Sequence, residues 1–367
     1  MQMTLIQDHD TTTPTPAGSP FGWLQVANDV EFCGFEHARS FCANRHAASA
    51  ETNVDNCQIE LVPMAEPTCT DDLNRLTAHI DGQELGFSRW SFGQLCSLAK
   101  APAAYMRTLP AAIVADALEY GLKYNREVEQ VKTYADPISG LRAITGPGYG
   151  RVPDHEVIEA TATIMKNGWE PAKDHMGFRL TDKALSMFLI DKSRPVVVGR
   201  APDGGDDVLY RGLRIRSSEV GASAITVSGF LFRSYCTNGM IFGMDDEFSA
   251  SVRHTANAPS RWAREIQPAI EHYAHQPESR LVDCVNSAKE ARVAADDDEM
   301  VTWLNRRGLS RKRSREAIDR VKTEEGRNAR TVWDAVQGVT ALARDIRTVD
   351  DRSELEELGG SLLMKAA

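Results

Sequence analysis

At 367 residues and about 150 residues per domain, the chain is long enough for roughly two domains and needs no metal or disulfide staple to bury a core. Hydrophobic residues at 42% and charged residues at 26% exclude collagenous, coiled-coil and wholly disordered classes. The formal net charge of -10 comes almost entirely from the first 140 residues, with 9 basic and 18 acidic side chains, whereas residues 305–330 hold ten Lys/Arg against four acids. Overall acidity therefore does not exclude a polyanionic partner.

In chain order, residues 1–20 predict a disordered tail, because 8–20 are polar and Pro-rich. The first eight residues lack the basic start and apolar stretch of a secretory signal. The richest apolar run, Leu185–Ile190, falls far short of the roughly 18 residues that cross a bilayer. A cytoplasmic protein without membrane association is expected. Residues 21–125 predict an N-terminal α+β region. Strand patterns lie at Cys57–Met64, Arg75–Ile80 and Leu85–Phe87, with an Asp81-Gly82 hairpin turn. Ser91 reads as the cap of a helix carrying Leu95 and Leu98, and Pro110 as the first turn of a second helix that Gly121 would stop.

Residues 126–258 predict a central β-rich domain. Its strands are Val128–Tyr134, Leu141–Thr145, Gly177–Thr181, Leu185–Ile190, Pro195–Val198, Leu209–Arg216 and Ala222–Cys236, interrupted by one helix from Asp154 to Gly168. From Ser260 the apolar period becomes 3.6, so 259–367 predicts a helical C-terminal region, kinked at Pro268 and broken at Gly308 and Gly326. The fold class expected is α+β, with a central antiparallel sheet over 128–255 flanked by helices and a helical C-terminal segment.

Little of this points to catalysis. Gly146–Arg151 lacks P-loop and Rossmann spacing and reads as a strand-to-helix loop. His272 and His275 read as a solvated helix face, and Asp245–Glu247 and Asp296–Glu299 as loop or helix-start acids. The seven cysteines form no C-x-x-C pair and are odd in number. No catalytic residue, metal or cofactor is predicted.

The richest chemistry lies in one hairpin. Arg211, Arg214 and Arg216 precede Phe230, Phe232, Arg233 and Tyr235, the mixture with which single-strand platforms hold phosphates and stack bases. The competing reading puts the rings in a core and leaves the arginines as an ordinary solvated face. A basic helix from Ser310, with Arg311, Lys312, Arg313 and Arg315, would assist. A surface gathering Arg214, Arg216, Arg233 and the 305–330 basics would favour the platform.

The segments Leu141–Ile144, Tyr149–Arg151, Ser218–Gly221, Arg233–Met240 and Arg253–Thr255 resemble successive blocks of the domain of unknown function 932 family. Ser91–Cys96, Pro102–Met106 and Thr331–Val336 extend the likeness over about residues 85–365. The resemblance implies a phage- or plasmid-like protein of mobile-element origin, with no established catalytic residue to carry over. Two function classes stay open. One is a single-stranded DNA-binding protein, with strand annealing in recombination or replication as its extension. The other is a non-enzymatic regulatory protein or host-defence antagonist acting through protein contacts on its acidic N-terminal third. A homo-oligomer is compatible with either.

Overall fold

The computed structural model of the chain describes residues 30–32, 34–63, 76–125, 127–137, 139–172, 177–200, 204–233, 239–241, 249–275, 279–346 and 349–364. Tyr235, Cys236, Asn238, Asp245–Glu247 and the expected tail lie outside them. The chain opens with β1 (Val30–Phe32) and α1 (Phe35–Ala48), then β2 (Ala50–Asp55), β3 (Glu60–Pro63), β4 (Leu76–Ile80) and β5 (Gln83–Gly86). Three helices follow, α2 (Arg89–Leu98), α3 (Ala103–Met106) and α4 (Ala111–Tyr124), and then β6 (Gln130–Asp136) and β7 (Gly140–Thr145).

These strands form two small antiparallel sheets, β3-β4-β5 and β2-β6-β7, linked by a bridge between Phe87 and Leu141. Leu61, Ile80, Phe92, Leu95, Leu118 and Ile144 share their core. Residues 130–145 therefore pair with β2 instead of opening the central sheet, and this core runs across the expected boundary at 125/126. Ser88, not Ser91, caps α2, its hydroxyl accepting the Ser91 N–H at 3.0 Å. Gly121 does not stop α4. A Cβ there would lie 2.3 Å from the Ala99 carbonyl oxygen, so glycine marks a close helix approach and not an end.

The expected helix after Asp154 is two short ones, α5 (Asp154–Glu159) and α6 (Ala162–Met165). The large sheet is built from β8 (Trp169–Pro171), β9 (Phe178–Leu180), β10 (Leu185–Asp191), β11 (Val196–Arg200), β12 (Asp206–Ser217), β13 (Ile225–Arg233), β14 (Gly239–Ile241) and β15 (Ser249–Val252). Its order is β1-β9-β10-β12-β13-β14, with β8 beside β10, β11 beside β12 and β15 beside β13. Every ladder is antiparallel.

The C-terminal part is helical: α7 (Ala258–Arg261), α8 (Gln267–His275), α9 (Ser279–Glu290), α10 (Asp297–Asn305), α11 (Arg311–Glu325), α12 (Val332–Ala343) and α13 (Val349–Met364). Pro268 cannot donate a backbone hydrogen bond, and the chain accommodates it after a π-helical turn at Trp262–Ile266. Gly308 and Gly326, with φ of 99° and 65°, interrupt the helices as expected. Leu213 and Ile215 of β12 join Ile266, Ile270, Tyr273 and Trp333 in the main core. Phe188, Ile190, Phe230 and Phe232 pack together in a separate cluster. The chain is an α+β protein with a helical C-terminal segment, and among the described residues no helix is long and apolar enough to cross a membrane.

Candidate functional site

Both faces of the β12–β13 hairpin are covered, and this decides the fate of its side chains. Phe230 and Phe232 are buried against Phe188 and Ile190, with the Phe188 and Phe230 rings edge to face at 5.9 Å. They are not open to a base. Arg211 is 2% exposed, its guanidinium carbon 4.1 Å from the Tyr273 ring centroid. Arg214 is also buried and donates to Glu357 of α13. Arg216 is half-buried. Arg233, 2% exposed, grips Asp207 at 2.7 and 3.0 Å and also donates to Glu325 at 3.2 Å and to Gln337 at 2.9 Å. Burial works against its charge, but hydrogen bonds to Asp207 and Glu325 outweigh burial and hold it protonated above its ordinary range. Tyr235 lies outside the described residues. The expected open platform is thus corrected: the rings fill a core, and Arg211, Arg214 and Arg233 are neither a solvated face nor a phosphate surface.

The basic stretch divides in two. Arg320 pairs with Asp345 and Glu324, Lys322 and Arg330 with Asp297, and Arg327 with Asp334. Those four cations brace α10, α11 and α12. The other six, Arg306, Arg307, Arg311, Lys312, Arg313 and Arg315, fall within ten residues that contain no acid. They occupy the turn between α10 and α11 and the start of α11, whose N-cap Ser310 accepts the Arg313 N–H at 3.3 Å. All but Arg307 are exposed. Arg307 lies over the half-buried Trp303 ring, 3.7 Å from its centroid. Among the described residues the one carboxylate in ion-pair range of this tip is Glu316, 3.9 Å from Lys312, an exposed contact of little strength. The first turn of α11 carries no acid, although a helix N-terminus favours negative charge by about 0.3–1 kcal/mol per group. Cations there are placed against helix stability.

A third constellation had no signal in the sequence beyond its blocks. Glu219, in the turn after β12, accepts from Arg45 of α1 at 3.2 Å and from Arg142 of β7, and also takes the Asp154 backbone N–H at 3.0 Å. Arg45 also donates to a side-chain carboxyl oxygen of Asp154 at 2.7 Å. None of the four is more than 9% exposed. Arg151 donates to the Glu219 carbonyl and to Glu51, and its guanidinium lies 3.9 Å from the Tyr134 ring centroid. Tyr149 donates to the Ser218 carbonyl at 2.7 Å and stacks on His254. Burial would raise Glu219, but Arg142 and Arg45 prevail and hold its carboxyl below the usual range. Burial, and then the Glu219 charge, push Asp154 well above it. Closed to solvent, the cluster ties α1, β7, α5 and the 218–221 turn together.

The family described as Domain of unknown function (DUF932) matches residues 143–357, more than half of the chain. The chain belongs to the DUF932 family. No curated protein and no solved structure matches it. The DUF932 match contains Asp154, Glu219, the hairpin and the whole α10–α11 tip, whereas Arg45, Arg142 and α4 lie before it. Three segments that carried the resemblance, Tyr149–Arg151, Ser218–Gly221 and Arg253–Thr255, meet at the buried cluster. Among the described residues of this DUF932 protein, no three His, Cys, Asp or Glu side chains are grouped to hold a metal. His272 and His275 are exposed on α8, and Asp296 caps α10 by accepting the Glu299 N–H at 2.9 Å.

Proposed function

We propose that this protein binds single-stranded DNA through the basic tip of the α10–α11 hairpin. The observation that supports it is the gathering of six cations, five of them exposed, where the helix dipole disfavours them and carboxylates are almost absent. A polyanion at the tip relieves that repulsion and releases counterions. The binding residues are Arg306, Arg311, Lys312, Arg313 and Arg315, with the Trp303–Arg307 stack as the nearest ring. Arg211, Arg214 and Arg233 support the fold behind it. Lys322 meets Asp297 at the end of the α10–α11 hairpin away from its tip, a contact that a groove-reading helix-turn-helix, opened to about 90–120°, does not make, so single strands suit the tip better than a duplex groove. The phage- and plasmid-like character implied by the resemblance, a cytoplasmic location and a role in strand annealing fit this reading.

Fluorescence anisotropy with a labelled oligonucleotide tests it. Replacing Arg311, Lys312, Arg313 and Arg315 together by alanine is expected to weaken binding steeply at low salt. Each lost phosphate contact makes the log–log salt slope shallower by roughly 0.7, so a change of about two to three units is expected. If folded wild-type protein fails to bind at low salt, the reading is lost, and action through protein contacts takes its place.

A further inference from the structure

Large apolar side chains at the surface are concentrated on one element. Of the five exposed ones among the described residues, Ile113, Tyr120 and Tyr124 lie on α4, and Tyr105 on the neighbouring α3. On α4 the positions 113, 117, 120 and 124 follow the i, i+4, i+7, i+11 spacing of a single helix stripe. Tyr120 and Tyr124 already lie ring to ring at 4.6 Å. The opposite side of α4 is engaged in the N-terminal core through Val114, Leu118 and Leu122. Among the described residues the stripe, apart from Ala117, which is half-buried against that core, is a second seam without a partner on a helix already anchored by its first.

Charge says what fits it. Asp116 and Lys123 are exposed on one flank of the stripe, toward its opposite ends. Two copies of α4 packed antiparallel about a two-fold axis between Leu118 and Glu119 set Ile113 against the other copy's Tyr124, and Ala117 against its Tyr120. A two-fold of this kind keeps the same flank of both helices on the same side, so Asp116 of each copy comes within two residues' rise, about 3 Å, of Lys123 of the other. Parallel packing about a two-fold along the helices would instead put this flank of the two copies on opposite sides of the seam, leaving Asp116 and Lys123 without partners across it. We infer that α4 is a self-association surface, forming an isologous antiparallel homodimer through Ile113, Ala117, Tyr120 and Tyr124, with reciprocal Asp116–Lys123 pairs. A helix of 14 residues, about 21 Å long, offers less than the roughly 1,600 Å² of a standard stable interface. The dimer is accordingly weak and concentration-dependent.

Sedimentation velocity of the full chain across a wide concentration series tests this, with circular dichroism to verify that each variant is folded. Wild-type protein is expected to shift from monomer to dimer with concentration, and Tyr120→Glu to stay monomeric. Asp116→Lys and Lys123→Asp, each alone, are expected to weaken the dimer about five- to thirtyfold, since each reverses two symmetric pairs. Combined in one chain they restore it. Monomer at every concentration overturns the inference and leaves the stripe to another protein or to residues 1–29. So does a dimer indifferent to Tyr120→Glu, or a double reversal weaker than either single one.

Discussion

Glu219 and Asp154 are two carboxyls in one buried cluster held in opposite protonation. Asp154 keeps a proton in the native state at a pH where the unfolded chain has lost it. From the ordinary carboxylate value up to the raised native one, the unfolded state therefore binds fewer protons, and this group's contribution to stability declines as pH rises. Asp154→Asn removes the exchange. Thermal melts between about pH 5 and pH 8 are expected to move in the variant's favour as pH increases, and a pH-independent difference would contradict the assignment. Glu219 behaves in the reverse sense: its depressed native value gives stability that is present above the ordinary carboxylate range and lost as pH falls through the native one. Glu219→Gln leaves Arg45 and Arg142 without their shared carboxylate, and urea denaturation is expected to show a loss of about 3–5 kcal/mol. A loss under about 1 kcal/mol would mean that water already screens the cluster.

At the level of elements, the tip is exposed because α11 is held from behind. Ala317, Ile318 and Val321 bury one side of it, and Gly338 of α12 lets the two helices touch, since a Cβ there would stand 2.5 Å from the Ala317 carbonyl oxygen. Gly338→Ala is expected to force the pair apart and cost about 1–3 kcal/mol by overpacking, read from the denaturation midpoint. An unchanged midpoint would show that the contact yields without cost. Much of this helical layer was legible: the switch in period near Ser260, the breaks at Gly308 and Gly326, and the cationic start of α11 are local properties of the chain. The hairpin was not. Alternation in β12 assigns Leu213 and Ile215 to one face and Arg214 and Arg216 to the other, but it does not say what covers the second face. The partner of Arg214 is Glu357, on a helix more than 100 residues later. Arg179, opposite Ser186 across the same sheet, meets the buried Glu356 of that helix at 3.8 Å. Only the tertiary arrangement turns a candidate binding face into an interior ionic layer.

Across the whole molecule, the N-terminal region and the central β-rich region read from the sequence are stitched together. Strand Val30–Phe32 completes the large sheet beside Phe178–Leu180, and Arg45 reaches Glu219. Chain order alone conceals such pairings, because period and propensity describe neighbours in sequence. They also impose a timetable on synthesis. When residues 30–48 leave the ribosome, the strand that β1 must pair with and the carboxylate that Arg45 must meet have not yet been made. The intervening segments can pack on their own core meanwhile; α1 gains Asp154 and β1 gains Phe178–Leu180 as these emerge, but Arg45 meets Glu219 only after the turn at 218–221 has been made. The large sheet thus takes in a strand made almost 150 residues before its neighbour, a long-range closure that slows folding and leaves β1 with an unpaired edge until Phe178–Leu180 has emerged.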